Sequence, residues 1–210
     1  MNEEVARRLG GLHSARVLLH SVDFAEVAAL QRGGHWDEAG TLLAEAARGL
    51  ERAGAEAVLL ATNTMHKVGP QIEAAVNLPL LHIVDGTAEA IRAAGLSRVG
   101  LLATAFTMEQ DFYTGRLKEQ FGIDTLTPPA QDRAEIHRII YDELCRNEIL
   151  EASRETYRRV MADLVARGAQ GIILGCTEIT LLVGADDTAV PVFDTTRLHV
   201  QAAVDWALDS

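Results

Sequence analysis

The chain has 210 residues, a formal net charge of −11 and an isoelectric point near 5.0, with 48% hydrophobic residues and a mean hydropathy of +0.07. That acidic balance argues against a nucleic-acid or anionic-membrane partner. No apolar run approaches the length of a membrane helix, and no charged n-region precedes an apolar h-region. The length allows one sizeable core or two smaller ones. The two cysteines, Cys145 and Cys176, stand in no metal-binding spacing and read as thiols of a reduced, cytoplasmic chain.

Taken in order, residues 1–12 are polar and end in Gly10-Gly11, with Val5 and Leu9 at helical spacing. Ala15 to Val22 reads as a strand, and Asp23 as the cap of a helix over 24–31. Leu42, Leu43, Ala46 and Leu50 give residues 36–52 the apolar stripe of an amphipathic helix, closed by Gly54. A strand over 57–61 leads to Thr62-Asn-Thr-Met-His-Lys and a helix through Val76, with Pro70 near its start. Residues 80–84 read as a strand, and Asp85-Gly86-Thr87 as the start of a helix ending at Gly95. The second half repeats the rhythm. Strands are expected at 98–103, 123–126 and 190–193, and helices at 108–121, 132–145, 151–167 and 194–208. Strands alternating with helices predict an α/β fold with mainly parallel sheets, the seam between halves near Gly95, and a last helix crossing back to the first half.

One stretch occurs twice. Gly54-Ala-Glu-Ala-Val-Leu-Leu-Ala-Thr62 and Gly168-Ala-Gln-Gly-Ile-Ile-Leu-Gly-Cys176 share their pattern of glycine, apolar run, small residue and nucleophile-type side chain, 114 positions apart (176 − 62). An apolar run ending abruptly in small and hydroxyl or thiol residues is a buried parallel strand entering a ligand-facing loop. Two copies predict two similar half-domains that present Thr62 and Cys176 to one cleft.

Cys176 is the sharpest candidate for chemistry. Thr177-Glu178-Ile179 reads as the start of a helix, and a thiol at a helix N-terminus has its thiolate favoured. Cys145 lies on an amphipathic face and reads as packing. Asn63 and Thr64 offer donors and acceptors beside Thr62, and backbone N–H groups there suit a carboxylate. Thr104 and Thr107 play a similar part or simply cap a helix. His66 lies near Thr62 and either tunes the site or serves the core. The chain has no Gly-rich nucleotide fingerprint and no lysine placed for a pyridoxal aldimine.

Thr62-Asn-Thr-Met-His66, Leu174-Gly-Cys-Thr-Glu-Ile179 and Val192-Phe-Asp-Thr-Thr196 resemble the aspartate/glutamate racemase family over essentially the whole chain, most closely its broad-specificity members. The resemblance implies racemisation of an acidic amino acid without cofactor or metal. It implies two pseudo-symmetric, Rossmann-like α/β half-domains, 1–94 completed by 190–210 and 95–189, with the substrate between them. Carried over, Thr62 and Cys176 are the acid/base pair on opposite faces of the α-carbon, Cys176 on the L side. Asn63, Thr64, Thr107, Thr177 and Glu178 line the substrate, with Gln31, Arg32 and Arg146 as weaker counterparts. A homodimer is implied, with a small acidic amino acid as ligand and no nucleic-acid or membrane partner. Two departures stand out. Most of the family has cysteine where this chain has Thr62, and a hydroxyl is a far poorer base than a thiol. The family also opens with an apolar strand and a Gly-Gly-Met-type loop, and here Met1 falls inside the first helix, so that strand is expected to be missing. The same scaffold supports two other readings, a single-cysteine decarboxylase or cis–trans isomerase of small diacids, and an amino-acid-binding protein without catalysis.

Overall fold

The structure, a computed structural model, describes residues 1–209. Its parallel strands fall into two groups, each in its own unit of the chain. The first unit comprises Met1–Leu60, Met65–His82 and the chain from Val200 onward. The second comprises Ala61–Thr64 and Ile83–His199.

The first unit carries α1 (Asn2–Leu9), α2 (Phe24–Gly33), α3 (Trp36–Arg52), β1 (Val58–Leu59), α4 (Gly69–Glu73) and β2 (Leu80–Leu81). Asp23 caps α2 as expected, its carboxylate accepting the Ala25 N–H at 3.0 Å. Ala39, Leu43 and Ala47 recur every four residues along α3 and meet Val27, Val58, Met65 and Ile72 in one core. The strand expected over 15–22 is not formed. Residues 13–23 carry neither helix nor strand, and Val17, Leu18 and Leu19 are exposed. A strand exists only through its ladder, and β1 pairs with β2 alone among the described residues. The same limit holds β1 and β2 to two residues each, and α5 (Ile83–Ala93), in the second unit, begins where strand was expected.

In the second unit α5 is followed by β3 (Arg98–Ala103), α6 (Ala105–Glu109), α7 (Asp111–Phe121), β4 (Asp124–Leu126), α8 (Ala130–Arg138), α9 (Glu151–Ala166), β5 (Ile172–Gly175), β6 (Val192–Asp194) and the start of α10 (Thr195–Asp209), whose residues from Val200 onward belong to the first unit. The sheet runs β4-β3-β5-β6, every pair parallel. Leu101, Leu102, Ile172 and Ile173 are fully buried between helices, with Tyr113, Tyr157 and Leu164 packed in the same core. Buried on both faces, these strands need continuous apolar runs, as their sequences show. The expected helix over 108–121 is two helices. Gln110 adopts φ −114° and ψ 150°, outside helical space, so the chain restarts at Asp111. The helix expected to reach Cys145 becomes a π turn over Ile139–Glu143 and a 3₁₀ turn over Leu144–Arg146. No helix among the described residues is long and apolar enough to cross a membrane.

Strand register aligns the loops that leave this sheet. Ala103 pairs with Gly175, so β3 and β5 end level, and Asp194 pairs with Leu174, so β6 ends one residue earlier. Thr104 and Cys176 therefore leave the carboxyl edge of the sheet level with each other, with Thr195 one residue short of them. That edge is where open α/β sheets place ligands.

Candidate active site

Cys176 leaves the end of β5 with 9% of its surface exposed. Its thiol donates to Glu178 Oε2 at 3.0 Å. The helix expected after it is only a three-residue 3₁₀ turn, Ile179–Leu181, with Glu178 at its start. A single turn carries little dipole, so the expected stabilisation of a thiolate is absent. Burial pushes the Cys176 thiol well above its ordinary pKa, and the Glu178 charge pushes the same way. The resting group is a protonated thiol hydrogen-bonded to the Glu178 carboxylate.

A group whose folded pKa is raised contributes stability that is complete below its unfolded pKa and is lost as pH rises. For Cys176 the loss begins near the free thiol value of about 8.5. Wild type should therefore lose more stability than Cys176→Ser between pH 7 and pH 10, as read by chemical denaturation at both values. An equal loss in the two proteins would contradict the shift.

Gly175 allows the turn to sit this close to β3. A Cβ there would lie 2.9 Å from Leu101 Cδ1 and 3.1 Å from Ala103 Cβ. Gly175→Ala should cost about 1–3 kcal/mol by overpacking, measured by thermal melting, and should displace Cys176 as the strands part.

The Thr62 turn belongs to this same unit although β1 does not. Side-chain hydrogen bonds explain the grouping. Asn63 Nδ2 donates to Thr195 Oγ1 at 3.0 Å, and Thr195 Oγ1 donates to the Leu174 carbonyl at 2.9 Å. Thr64 Oγ1 lies 2.9 Å from Thr104 Oγ1 and 3.2 Å from Thr107 Oγ1, and those two hydroxyls are 3.2 Å apart. Thr104 also caps α6, accepting the Thr107 N–H at 3.4 Å. Asn63, Thr64, Thr104, Thr107 and Thr195 are all buried, so each bond is made in a low dielectric. Thr62 itself is half-buried at the head of the turn.

Of the other expected residues, Thr177 is half-buried and its carbonyl accepts from Thr180 Oγ1 at 3.0 Å. Gln31 and Arg32 lie on α2 in the first unit. Gln31 is buried, with Nε2 2.9 Å from the Met65 sulfur, and Arg32 is exposed. His66 is buried in the first unit against His82, ring centroids 4.4 Å apart. Arg146 is exposed at the end of its 3₁₀ turn. Cys145, read as packing, is exposed instead, though partial desolvation and the Glu178 charge raise its thiol to about 11. Among the described residues no group of three or more His, Cys, Asp or Glu is gathered as a metal site requires.

Three residues of this unit carry no signal in the sequence. Tyr157 on α9 is fully buried with its hydroxyl unpartnered, and burial, then the Cys176 and Glu143 charges, raise its pKa. Glu143, in the π turn, accepts from Ser153 Oγ at 2.5 Å and pairs with Arg138 at 2.9 Å. Thr195 belongs to the Val192–Thr196 motif, where nothing in the sequence sets it apart from its neighbours; its fully buried hydroxyl is the link between the two turns.

Comparison with known proteins agrees with this fold. The family model for Asp/Glu/hydantoin racemases matches residues 1–203. A candidate Asp/Glu racemase from Yersinia pestis is 56% identical, with a TM-score of 0.91 over 99% of this chain and 90% of its own. An aspartate racemase homologue from Pyrococcus horikoshii OT3 is 32% identical, with a TM-score of 0.83 over the same shares, 99% and 90%. Glutamate racemase from Aquifex pyrophilus shares the fold at 19% identity, with a TM-score of 0.65 over 97% of this chain and 77% of its own. The thiol and threonine turns at the sheet edge, the parallel α/β architecture and the match along nearly the whole sequence have one common explanation: the chain belongs to the Asp/Glu/hydantoin racemase family.

Proposed function

We propose that the chain racemises an acidic amino acid, aspartate or glutamate, without a bound cofactor, by proton transfer at the α-carbon. One observation carries the reading. Cys176 Sγ stands 3.0 Å from the Glu178 carboxylate, at a strand end tied through Thr195 to the turn that bears Thr62. With an L substrate, the thiol passes its proton to Glu178, giving thiolate and carboxylic acid. The thiolate then removes the α-proton, which restores the thiol and leaves a carbanion delocalised into the α-carboxylate. Thr62 gives its hydroxyl proton to the opposite face. Water replaces that proton while Glu178 releases its own, so the cycle closes with no net change in charge or protons. With a D substrate, the Cys176 thiol is the donor. Asn63, Thr64, Thr107, Thr177, Gln31 and Arg32 are assigned to the substrate, and Glu178 serves both substrate and thiol.

The test is incubation in D2O with each enantiomer of aspartate and glutamate, following α-deuteration by NMR and optical rotation. Inversion with deuterium uptake supports the reading, and neither event with any of the four substrates would sink it. A second reading has one observation in its favour: only one of the two turn residues is a thiol, and it is held protonated, the state that delivers a proton to a carbanion. A decarboxylase of small diacids needs just that donor, whereas a cis–trans isomerase needs the thiolate to add to the double bond, allow rotation and leave again. Malonates and maleate in the same assay separate it.

A further inference from the structure

Thr195 has one hydroxyl proton and two neighbours that compete for it. The Leu174 carbonyl, 2.9 Å away, has no proton to give, so the hydroxyl must donate there. At 3.0 Å on its other side Thr195 can then only accept, and the Asn63 atom facing it must be the amide nitrogen. That logic fixes the amide: Asn63 Oδ1 is at the far end, buried, with no partner in the protein. A buried amide oxygen without a donor is costly, and a free amide turns to relieve it. Thr195 prevents the turn. The same hydroxyl joins the residue after Thr62 to the residue two before Cys176.

We propose that Thr195 is a positioning residue that holds the Thr62 and Cys176 turns in register and locks Asn63 with its amide oxygen as an acceptor reserved for the substrate. An acceptor with no donor inside the fold selects a ligand that brings one. The α-ammonium of an amino acid fits, and the carbonyl of a 2-oxo acid, an acceptor itself, does not. This rests on the racemase reading for the identity of the substrate, and it adds a discrimination at the substrate's second carbon that proton transfer alone does not require. Thr195→Val removes the hydroxyl and keeps the shape; Thr195→Ser keeps the hydroxyl.

The experiment compares wild type, Thr195→Val and Thr195→Ser in two measurements. Calorimetric binding of glutamate and 2-oxoglutarate reads the amide. The rate of α-proton exchange on glutamate, with kcat and KM resolved, reads the register. Thr195→Val should narrow the preference for glutamate over 2-oxoglutarate by about tenfold or more, because the freed amide presents its N–H to the carbonyl. It should also lower kcat by about a hundredfold, the cost of a misplacement near 1 Å. Thr195→Ser should recover both within about threefold. A role confined to packing would lower melting temperature and active fraction while leaving the glutamate preference unchanged, and that result overturns the proposal. So does a failure of Thr195→Ser to rescue. Binding is read independently of turnover. Glutamate bound with the expected preference but never exchanged ends the racemase reading alone. Exchange with an unaltered preference in Thr195→Val ends this inference alone. Preference for 2-oxoglutarate in wild type also ends it.

Discussion

Cys176→Ser should lower α-proton exchange by about a thousandfold or more, within the range of ~10²–10⁴ that one positioned acid/base group contributes, enlarged by the loss of a carbon base. Serine preserves the donor to Glu178 Oε2 and the turn around it. What it lacks is a conjugate base accessible near neutral pH. Cys145→Ala should leave exchange intact, since Cys145 stands on its own 3₁₀ turn and is given no part in the transfer. Glu178→Gln separates the two halves of the mechanism. Removing the carboxylate lifts the charge that opposes the thiolate, so the Cys176 pKa moves down from its raised position although burial still holds it up. Alkylation of Cys176 by iodoacetamide at pH 8 should then become faster while exchange slows by about tenfold or more, because the thiol has lost its local proton acceptor. Mass spectrometry gives the alkylation rate and NMR the exchange rate. If both quantities fall together, Glu178 serves chiefly to hold the turn, and its role as proton acceptor must be abandoned.

That inversion of expectation at Cys176 marks where local sequence signals stop. The strand end is legible because β5 is buried on both faces and its apolar run stops at Gly175. β3 and α3 keep their expected bounds to the residue, although α3 buries Ala39, Leu43 and Ala47 while Leu42, Ala46 and Leu50 of the expected stripe are only half-buried. The thiol's environment depends instead on the conformation of the three residues after it. Thr177-Glu178-Ile179 has the look of a helix start, yet the chain makes one 3₁₀ turn and Glu178 folds back on the sulfur. A carboxylate two residues away in sequence has no periodic signature. Residues 15–22 fail for a different reason: their composition suits a strand, but strand formation is decided by a neighbour. Thr195 is invisible in the sequence because one hydroxyl among many acquires its role only through register, which sets Asp194, the end of β6, beside Leu174.

Turnover should be lopsided between enantiomers. Cys176 and Thr62 head corresponding turns of the internal repeat, but only the thiol has a conjugate base that can take a proton from carbon near neutral pH. The racemase reading places Cys176 on the L face, so L-aspartate or L-glutamate should lose its α-proton readily. The D enantiomer presents its proton to Thr62, whose hydroxyl must act through water, and should react slowly. Free enantiomers have equal energies, so the overall equilibrium constant is one and kcat/KM must match in the two directions. A low kcat from D therefore comes with an equally low KM for D, and at saturation the two directions should differ by about tenfold or more. Thr62→Cys supplies a second thiol at the head of a turn that Asn63 and Thr64 still hold by their own bonds. It should raise D-to-L kcat more than L-to-D kcat and bring the two KM values together. Initial rates from each pure enantiomer, in wild type and in Thr62→Cys, test both statements. Equal wild-type kcat values in the two directions, with no change in their ratio on substitution, would show that Thr62 and Cys176 share one role, and the division of labour between hydroxyl and thiol would have to be given up.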